Sequence, residues 1–476
     1  MEVTVSKNDI LSGYIAKVFQ YGTGIIVLPV ILSHLSAEEI GMNYILMTVG
    51  ALANMADFGF SGQIGRNVTY VLSGANKIYR KELESVEKTD YVNYKLLKII
   101  IDASKFLYKR ISMGVLLLLF TLGTLYMYKV TEGFTNVENS LFIWILYSVG
   151  TYFNIYFLYY NSLLTGAGKI KEQRYATIFS RIVYIIICFV LIFSGYGLIS
   201  VVLANLISPF VARYYSYIKF YSGEIKENLP KDASGRDEVT QAISDIWYTA
   251  KKSGTNTIGH YVGTNASTFI AGLFLPLAVT AQWGILVQLI SIVEGVAMNI
   301  GVSFYPEYCK LRLRNEKSEL IRKSSFGITS MILLLLTGGL VVAFAGPFAL
   351  TIIKSRTILP PLVFMLAYLI KQIITCNAQL FAMLMTSRNV IPSPTAVLIT
   401  SAAQIILITV LLKYTNFGIW ALLLGPFIPG ISYTYWAWMK KELNNMNLSA
   451  LHFYSSGIKE IFLYTQRLLF KKQIAI

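Results

Sequence analysis

Lysine and arginine fall almost wholly in every second connector between the apolar stretches of this chain. Twelve such stretches run near 12–33, 40–60, 111–129, 141–163, 175–194, 196–218, 254–276, 281–305, 325–346, 360–383, 394–413 and 417–438. Each approaches the roughly 20 mostly apolar residues that a helix needs to cross the hydrocarbon of a bilayer. With the N-terminus inside, the inner connectors hold 34 of the 41 Lys and Arg, and the outer connectors hold four: Lys129, Lys354, Arg356 and Lys413. Cytoplasmic loops retain basic residues, so both termini are expected in the cytoplasm. The expected fold is an all-α integral membrane protein of about twelve transmembrane helices.

The composition agrees. Apolar residues make up 55% of the 476 and charged residues 14%, well below the roughly 25% charged content of soluble domains. The net charge of +16 follows from the loop asymmetry and so carries no argument for nucleic-acid binding. Continuous apolar runs without alternation exclude a β-barrel. Cys188, Cys309 and Cys376 form no metal-ligand spacing. The first apolar segment is long and lacks a small-residue cleavage site, so no cleavable signal is expected.

A polar interruption at 213–252 divides the chain into six segments and six, which predicts an N-terminal bundle over 1–225, a cytoplasmic linker over 226–250, a C-terminal bundle over 251–440 and a cytoplasmic tail over 441–476. Six is even, so duplicated halves would be parallel repeats. Leu28-Pro29, Gly41 and Gly59 in the first half have counterparts in Leu275-Pro276, Gly284 and Gly301 in the second. Between the second and third segments Lys95, Lys98, Asp102, Lys105 and Lys109 recur on one side, with Leu97, Ile101 and Tyr108 on the other. That pattern predicts an amphipathic elbow helix, about 88–109, on the inner leaflet or solvated beside it. A shorter pattern recurs around 461–470.

Charges within the membrane are costly and usually face a cavity or a partner. Lys17, Arg181 and Lys371 lie inside apolar segments, and His260 joins Asn256, Thr264 and Ser267 on one face of the seventh. Together they predict a polar, cationic cavity that would hold an anionic group. Each has a plainer reading: Lys17 and Lys371 can snorkel, Arg181 can anchor at the interface, and His260 can bond a neighbouring helix. Glu294, near the middle of the eighth segment, reads as a coupling group that exchanges a proton or cation, or as the partner of a nearby cation. Asp57, with Arg66 following, reads as a gating ion pair or a helix-end pair. Tyr152, Tyr156, Tyr159 and Tyr160, and Tyr214, Tyr215 and Tyr217, suit sugar stacking or the interfacial aromatic belt. No catalytic motif is present; Gly166-Ala167-Gly168-Lys169 lacks the first glycine of a phosphate loop.

The opening Leu28-Pro29, Ala37-Glu38-Glu39-Ile40-Gly41, Asp57-Phe58-Gly59-Phe60-Ser61 and Arg66 resembles the signature of the Wzx-type polysaccharide repeat-unit (O-antigen and capsule) flippases, of the multidrug/oligosaccharidyl-lipid/polysaccharide exporter superfamily. Ile40 stands where that family usually has an aromatic residue. The likeness extends over about residues 10–440. It implies two six-helix bundles around a central cavity, in the bacterial plasma (inner) membrane. The implied substrate is an undecaprenyl-diphosphate-linked oligosaccharide, turned from the inner to the outer leaflet by alternating access. The diphosphate would meet Lys17, Arg181 or Lys371. No cofactor is implied beyond a coupling proton or sodium ion carried by Glu294. A polymerase and a chain-length regulator are the further partners. The rivals are a cation-coupled multidrug or metabolite antiporter of the same superfamily, for which an acidic cavity would be expected, and an O-antigen polymerase or ligase, for which a large outer loop would be expected.

Overall fold

The computed structural model describes residues 22–78, 91–388, 390 and 392–473, without the side chains of 249, 252–264 and 467–473. Lys17 lies outside the described residues, as do the side chains of Asn256, His260 and Thr264.

The described chain is built of helices, with no β-strand among the described residues. In order they are α1 (Gly22–His34), α2 (Ala37–Asn54), α3 (Phe60–Leu72), α4 (Tyr94–Val130), α5 (Ser140–Gly166), α6 (Ile170–Phe193), α7 (Leu198–Phe220), α8 (Arg236–Phe274), α9 (Leu277–Leu313), α10 (Lys317–Ile352), α11 (Leu362–Thr386), α12 (Pro394–Tyr414), α13 (420–446) and α14 (Ala450–Gln473). Every expected apolar segment, as far as it is described, falls on one of these. Among the described residues eight helices are long and apolar enough to cross a membrane, and the chain is a multi-pass membrane protein.

The chain divides into two compact units. The first takes in Met1–Tyr261, Pro276–Ala278 and Lys354–Arg356, and the second Val262–Leu275, Val279–Ile353 and Thr357–Ile476. Residues 226–250, expected as a linker, fall within the first unit. Apolar residues there are buried: Ala242 packs with Ile99 and Ala103 of α4, supported by Val239 and Ile243. The residues expected as an elbow helix, about 88–109, are described from 91 onward. Residues 94–109 are the opening turns of the 37-residue α4, about 55 Å long at 1.5 Å per residue. Nothing in the sequence breaks the helix before the π-helical turn Leu119–Gly123, and Leu97, Ile100 and Tyr108 face protein, each fully buried. On the polar side Lys95 pairs with Glu238 at 2.8 Å and Lys98 with Asp102 at 2.9 Å. The Lys95 hydrogen bond holds the Glu238 carboxyl below the usual carboxylate range.

Residues of the family-like opening have local physical roles. Ser36 caps α2 and Glu39 returns the bond to the Ser36 N–H at 2.8 Å, a capping box. The other Glu39 oxygen accepts from the Leu198 N–H at 2.8 Å and so ties the start of α2 to the start of α7. Phe58 (φ 48°) and Gly59 (φ 81°) take left-handed backbone and separate α2 from α3.

In the second unit, the expected tail is a helix packed on the bundle. Gly457 of α14 lies against α10 so closely that a Cβ would sit 2.1 Å from Thr329 Oγ1 and 2.5 Å from the Ser325 carbonyl. Tyr454 donates to Asn377 of α11 at 3.0 Å, and Phe453 is fully buried against Phe381. Pro426 and Pro429 lie within α13, just before a π-helical turn, Gly430–Thr434. The Pro426 carbonyl accepts from the Gly430 N–H and also from the side chains of Tyr435 and Gln404.

Candidate functional site

Helices α2, α5, α6 and α7 of the first unit enclose a cavity of about 450 Å³. Its polar lining comes from helical spacing. Asn43 and Asn54 project from α2; Thr151, Asn154 and Asn161 from α5; Thr177, Ser180 and Arg181 from α6; Asn205 and Arg213 from α7. On α7, Asn205, Pro209 and Arg213 recur every four residues, which puts them on one face. Pro209 has no N–H, so the Asn205 carbonyl lacks its usual helical donor. Ser180 donates to the Ser208 carbonyl at 2.8 Å, which locks α6 to α7.

The two charged lining residues are both arginines, and no carboxylate lines the cavity. Arg213 Nη2 donates to Asn154 Oδ1 at 3.3 Å, while its Nε is buried with no hydrogen-bond partner. A buried N–H without an acceptor is costly, so the guanidinium is poised for an incoming acceptor. Five asparagines and two arginines suit a hydroxyl-rich, anionic ligand, with amides bonding hydroxyls in both directions and guanidinium forks pairing with phosphate oxygens.

A second polar group lies inside the second unit. Glu294 of α9 faces Gln372 and Cys376, one turn apart on α11. Gln372 Nε2 donates to Glu294 Oε2 at 2.7 Å, and Cys376 Sγ donates to Oε1 at 3.4 Å. The Gln372 carbonyl oxygen accepts from Lys371 Nζ at 3.3 Å, and that ammonium lies 5.6 Å from the Tyr368 ring centroid. Two adjacent glycines of α10 permit this assembly. A Cβ on Gly338 would sit 2.5 Å from Val293 of α9, and one on Gly339 would sit 2.2 Å from Leu369 of α11. Small residues let backbones approach in membranes, where polar side chains then bond across helices.

The sequence-predicted residues therefore separate. Arg181 lines the first-unit cavity. Lys371 and Glu294 come together in the second unit, bridged by Gln372, so Lys371 is committed to the carboxylate cluster. Asp57 accepts from Ser61 N at 3.2 Å, from Ser61 Oγ at 2.8 Å, and from the Tyr108 hydroxyl. Arg66 is exposed and lies 5.9 Å from the Tyr70 ring. Ser267 is half-buried on α8. Tyr152 stacks on Tyr156 at 6.1 Å and 8°, and Tyr152, Tyr156, Tyr159 and Tyr160 do not line the cavity, whereas Tyr147 of the same helix does. Sequence reasoning missed Arg213, counted among the basic residues of the central loop. Its eight-residue spacing from Asn205 across Pro209 was the available signal. Gln372 and Cys376 carried no charge to mark them.

No protein-family model matches this chain, and no curated protein matches it. Solved structures do. The lipid II flippase MurJ, in an inward closed conformation, is 14% identical over 97% of this chain and 92% of its own, with a TM-score of 0.66. An inward-facing multidrug resistance MATE family transporter of the MOP superfamily is 12% identical over 91% of this chain and 94% of its own, with a TM-score of 0.60. What this chain shares with both is the fold.

Proposed function

We propose that the protein is a flippase that turns undecaprenyl-diphosphate-linked oligosaccharide repeat units from the inner to the outer leaflet of the bacterial plasma membrane, by alternating access, for O-antigen or other surface polysaccharide. The observation that carries this reading is the first-unit cavity, polar and cationic, three of whose four helices (α5, α6 and α7) are long and apolar enough to cross a bilayer. A polar head group must leave water to cross the hydrocarbon, and a lining of amides and guanidiniums replaces its hydration. A cavity of about 450 Å³ lies in the ordinary range for small-ligand sites. It takes the diphosphate and the adjoining sugar, with Arg213 and Arg181 on the phosphates and the asparagines on the hydroxyls. The prenyl tail stays in lipid. A fold shared with a lipid II flippase supports the same class of substrate.

Glu294 is the proposed carrier of a coupling proton or sodium ion. Its own donors, Gln372 and Cys376, and the nearby Lys371 make a compact group able to gain or lose a cation without the substrate. Both termini are proposed to be cytoplasmic, and a polymerase and a chain-length regulator are the proposed partners downstream.

The test is a deletion strain with lipid-linked repeat units assayed on each leaflet. Complete repeat units trapped on the inner leaflet, released by the wild-type gene but not by Arg213→Ala at equal protein level, is the expected result. Repeat units that reach the outer leaflet unpolymerised would refute it in favour of a polymerase. The carboxylate of Glu294 is also what a cation-coupled antiporter would need, and drug efflux with normal repeat-unit flipping would favour that reading.

A further inference from the structure

The turn at 57–59 links the cavity to the helix that leads out of the first unit. Phe58, a bulky residue in left-handed backbone, is held by contacts on both sides. On one side, Asp57 accepts from both donors of Ser61 and from the Tyr108 hydroxyl, and Tyr108 is fully buried. Asn54, three residues before Asp57, lines the cavity, and the Arg213 guanidinium lies within electrostatic reach of the Tyr108 hydroxyl. On the other side, the Phe58 ring stacks on Trp247 of α8, with centroids 5.5 Å apart at 21°, and Phe60 stacks on the same indole at 5.6 Å and 27°. Trp247 is 46% exposed. Beyond Trp247 the same helix continues to Phe274, in the second unit.

We propose that this turn is a transmission element that reports occupancy of the cavity to α8. The inference rests on the cavity being an anion site. Arg213 has two claims on its charge: the Tyr108 hydroxyl and an anion in the cavity. An anion that neutralises Arg213 changes the field on Tyr108 and loosens its hold on Asp57. Contiguity becomes coupling only where an element has two arrangements that a ligand distinguishes. A left-handed phenylalanine persists only while its surroundings over-determine it, so loosening Asp57 lets the turn relax and moves Phe58 against Trp247. Asp57 and Tyr108 are positioning residues here and do not touch the ligand.

The experiment uses full-length protein in lipid nanodiscs, labelled with 5-fluorotryptophan and titrated with sodium pyrophosphate. The ¹⁹F resonance of Trp247 is identified by its loss in Trp247→Phe. Binding is measured separately by equilibrium dialysis of radiolabelled pyrophosphate. The expected result is a saturable shift of the Trp247 resonance with the midpoint of binding. In Tyr108→Phe, and in Asp57→Asn as a second variant, the shift is lost while the binding constant stays within about threefold of wild type. Binding with a stationary Trp247 resonance, or an unchanged shift in both variants, overturns the relay alone. Absence of pyrophosphate binding by wild type overturns the anion reading of the cavity and the relay with it.

Discussion

Gln372 donates its side-chain N–H to the Glu294 carboxylate at 2.7 Å while its carbonyl oxygen accepts from Lys371, so a neutral amide stands between a carboxylate and an ammonium within the membrane-spanning part of the second unit. The amide keeps the two charges associated without direct contact. It also orients both, because its two ends have opposite hydrogen-bonding character.

Glu294→Gln keeps the size of the side chain and removes its charge. Transport in proteoliposomes is expected to fall at least about tenfold at normal protein level, in keeping with an intramembrane ionisable group acting in function. Retained ion-coupled transport would exclude Glu294 as the carrier. Gln372→Leu leaves the carboxylate without its amide donor and is expected to cost about 1–3 kcal/mol of stability, read as the shift in thermal unfolding in detergent.

Arg213→Ala removes the guanidinium whose Nε has no partner. A lost charge-assisted bond of about 1.5–3 kcal/mol corresponds to roughly 10- to 100-fold weaker pyrophosphate binding. Arg213→Lys restores the charge but not the planar fork, so partial recovery is expected by equilibrium dialysis.

Glu442 is wholly buried and pairs with two arginines, Arg312 and Arg388. Glu442→Gln leaves both cations without their carboxylate, and breaking a buried ion pair costs about 3–5 kcal/mol. A large fall in thermal unfolding temperature is expected, and an unchanged one would show that the arginines find other acceptors. At the same end of the unit, Gly457→Val would place side-chain carbons where Thr329 and the Ser325 carbonyl already stand. Release of α14 is expected, visible as faster tryptic cleavage of the C-terminal segment.

Glu238 is exposed, and its carboxyl is held below the usual range first by the hydrogen bond from Lys95. A depressed folded-state value means that the pair's contribution is present above the unfolded carboxylate pKa and is lost as pH falls through the folded one. Glu238→Gln should therefore lower stability slightly at neutral pH, with no difference from wild type once the carboxyl is protonated. High salt should shrink the difference at neutral pH, because exposed pairs are screened.

Hydropathy alone placed the described apolar segments on helices, because the cost of moving a residue into hydrocarbon is nearly a sum over single residues and needs no knowledge of neighbours. The same local cost marked Arg181, Lys371 and Glu294 as residues requiring an explanation. Partners were a different matter. Glu294 and Gln372 are 78 positions apart, and their meeting depends on Gly338 and Gly339 drawing α10 against both α9 and α11, which no single-residue property encodes. Arg213 reads as one more basic residue of a loop until α7 runs to Phe220 and turns it into the cavity with Asn154. Residues 94–109 read as a surface helix until the apolar side meets Ala242. Local transfer energies decided which segments are helices in a membrane; the packing of distant helices decided which polar groups face one another, and with that where the chemistry resides.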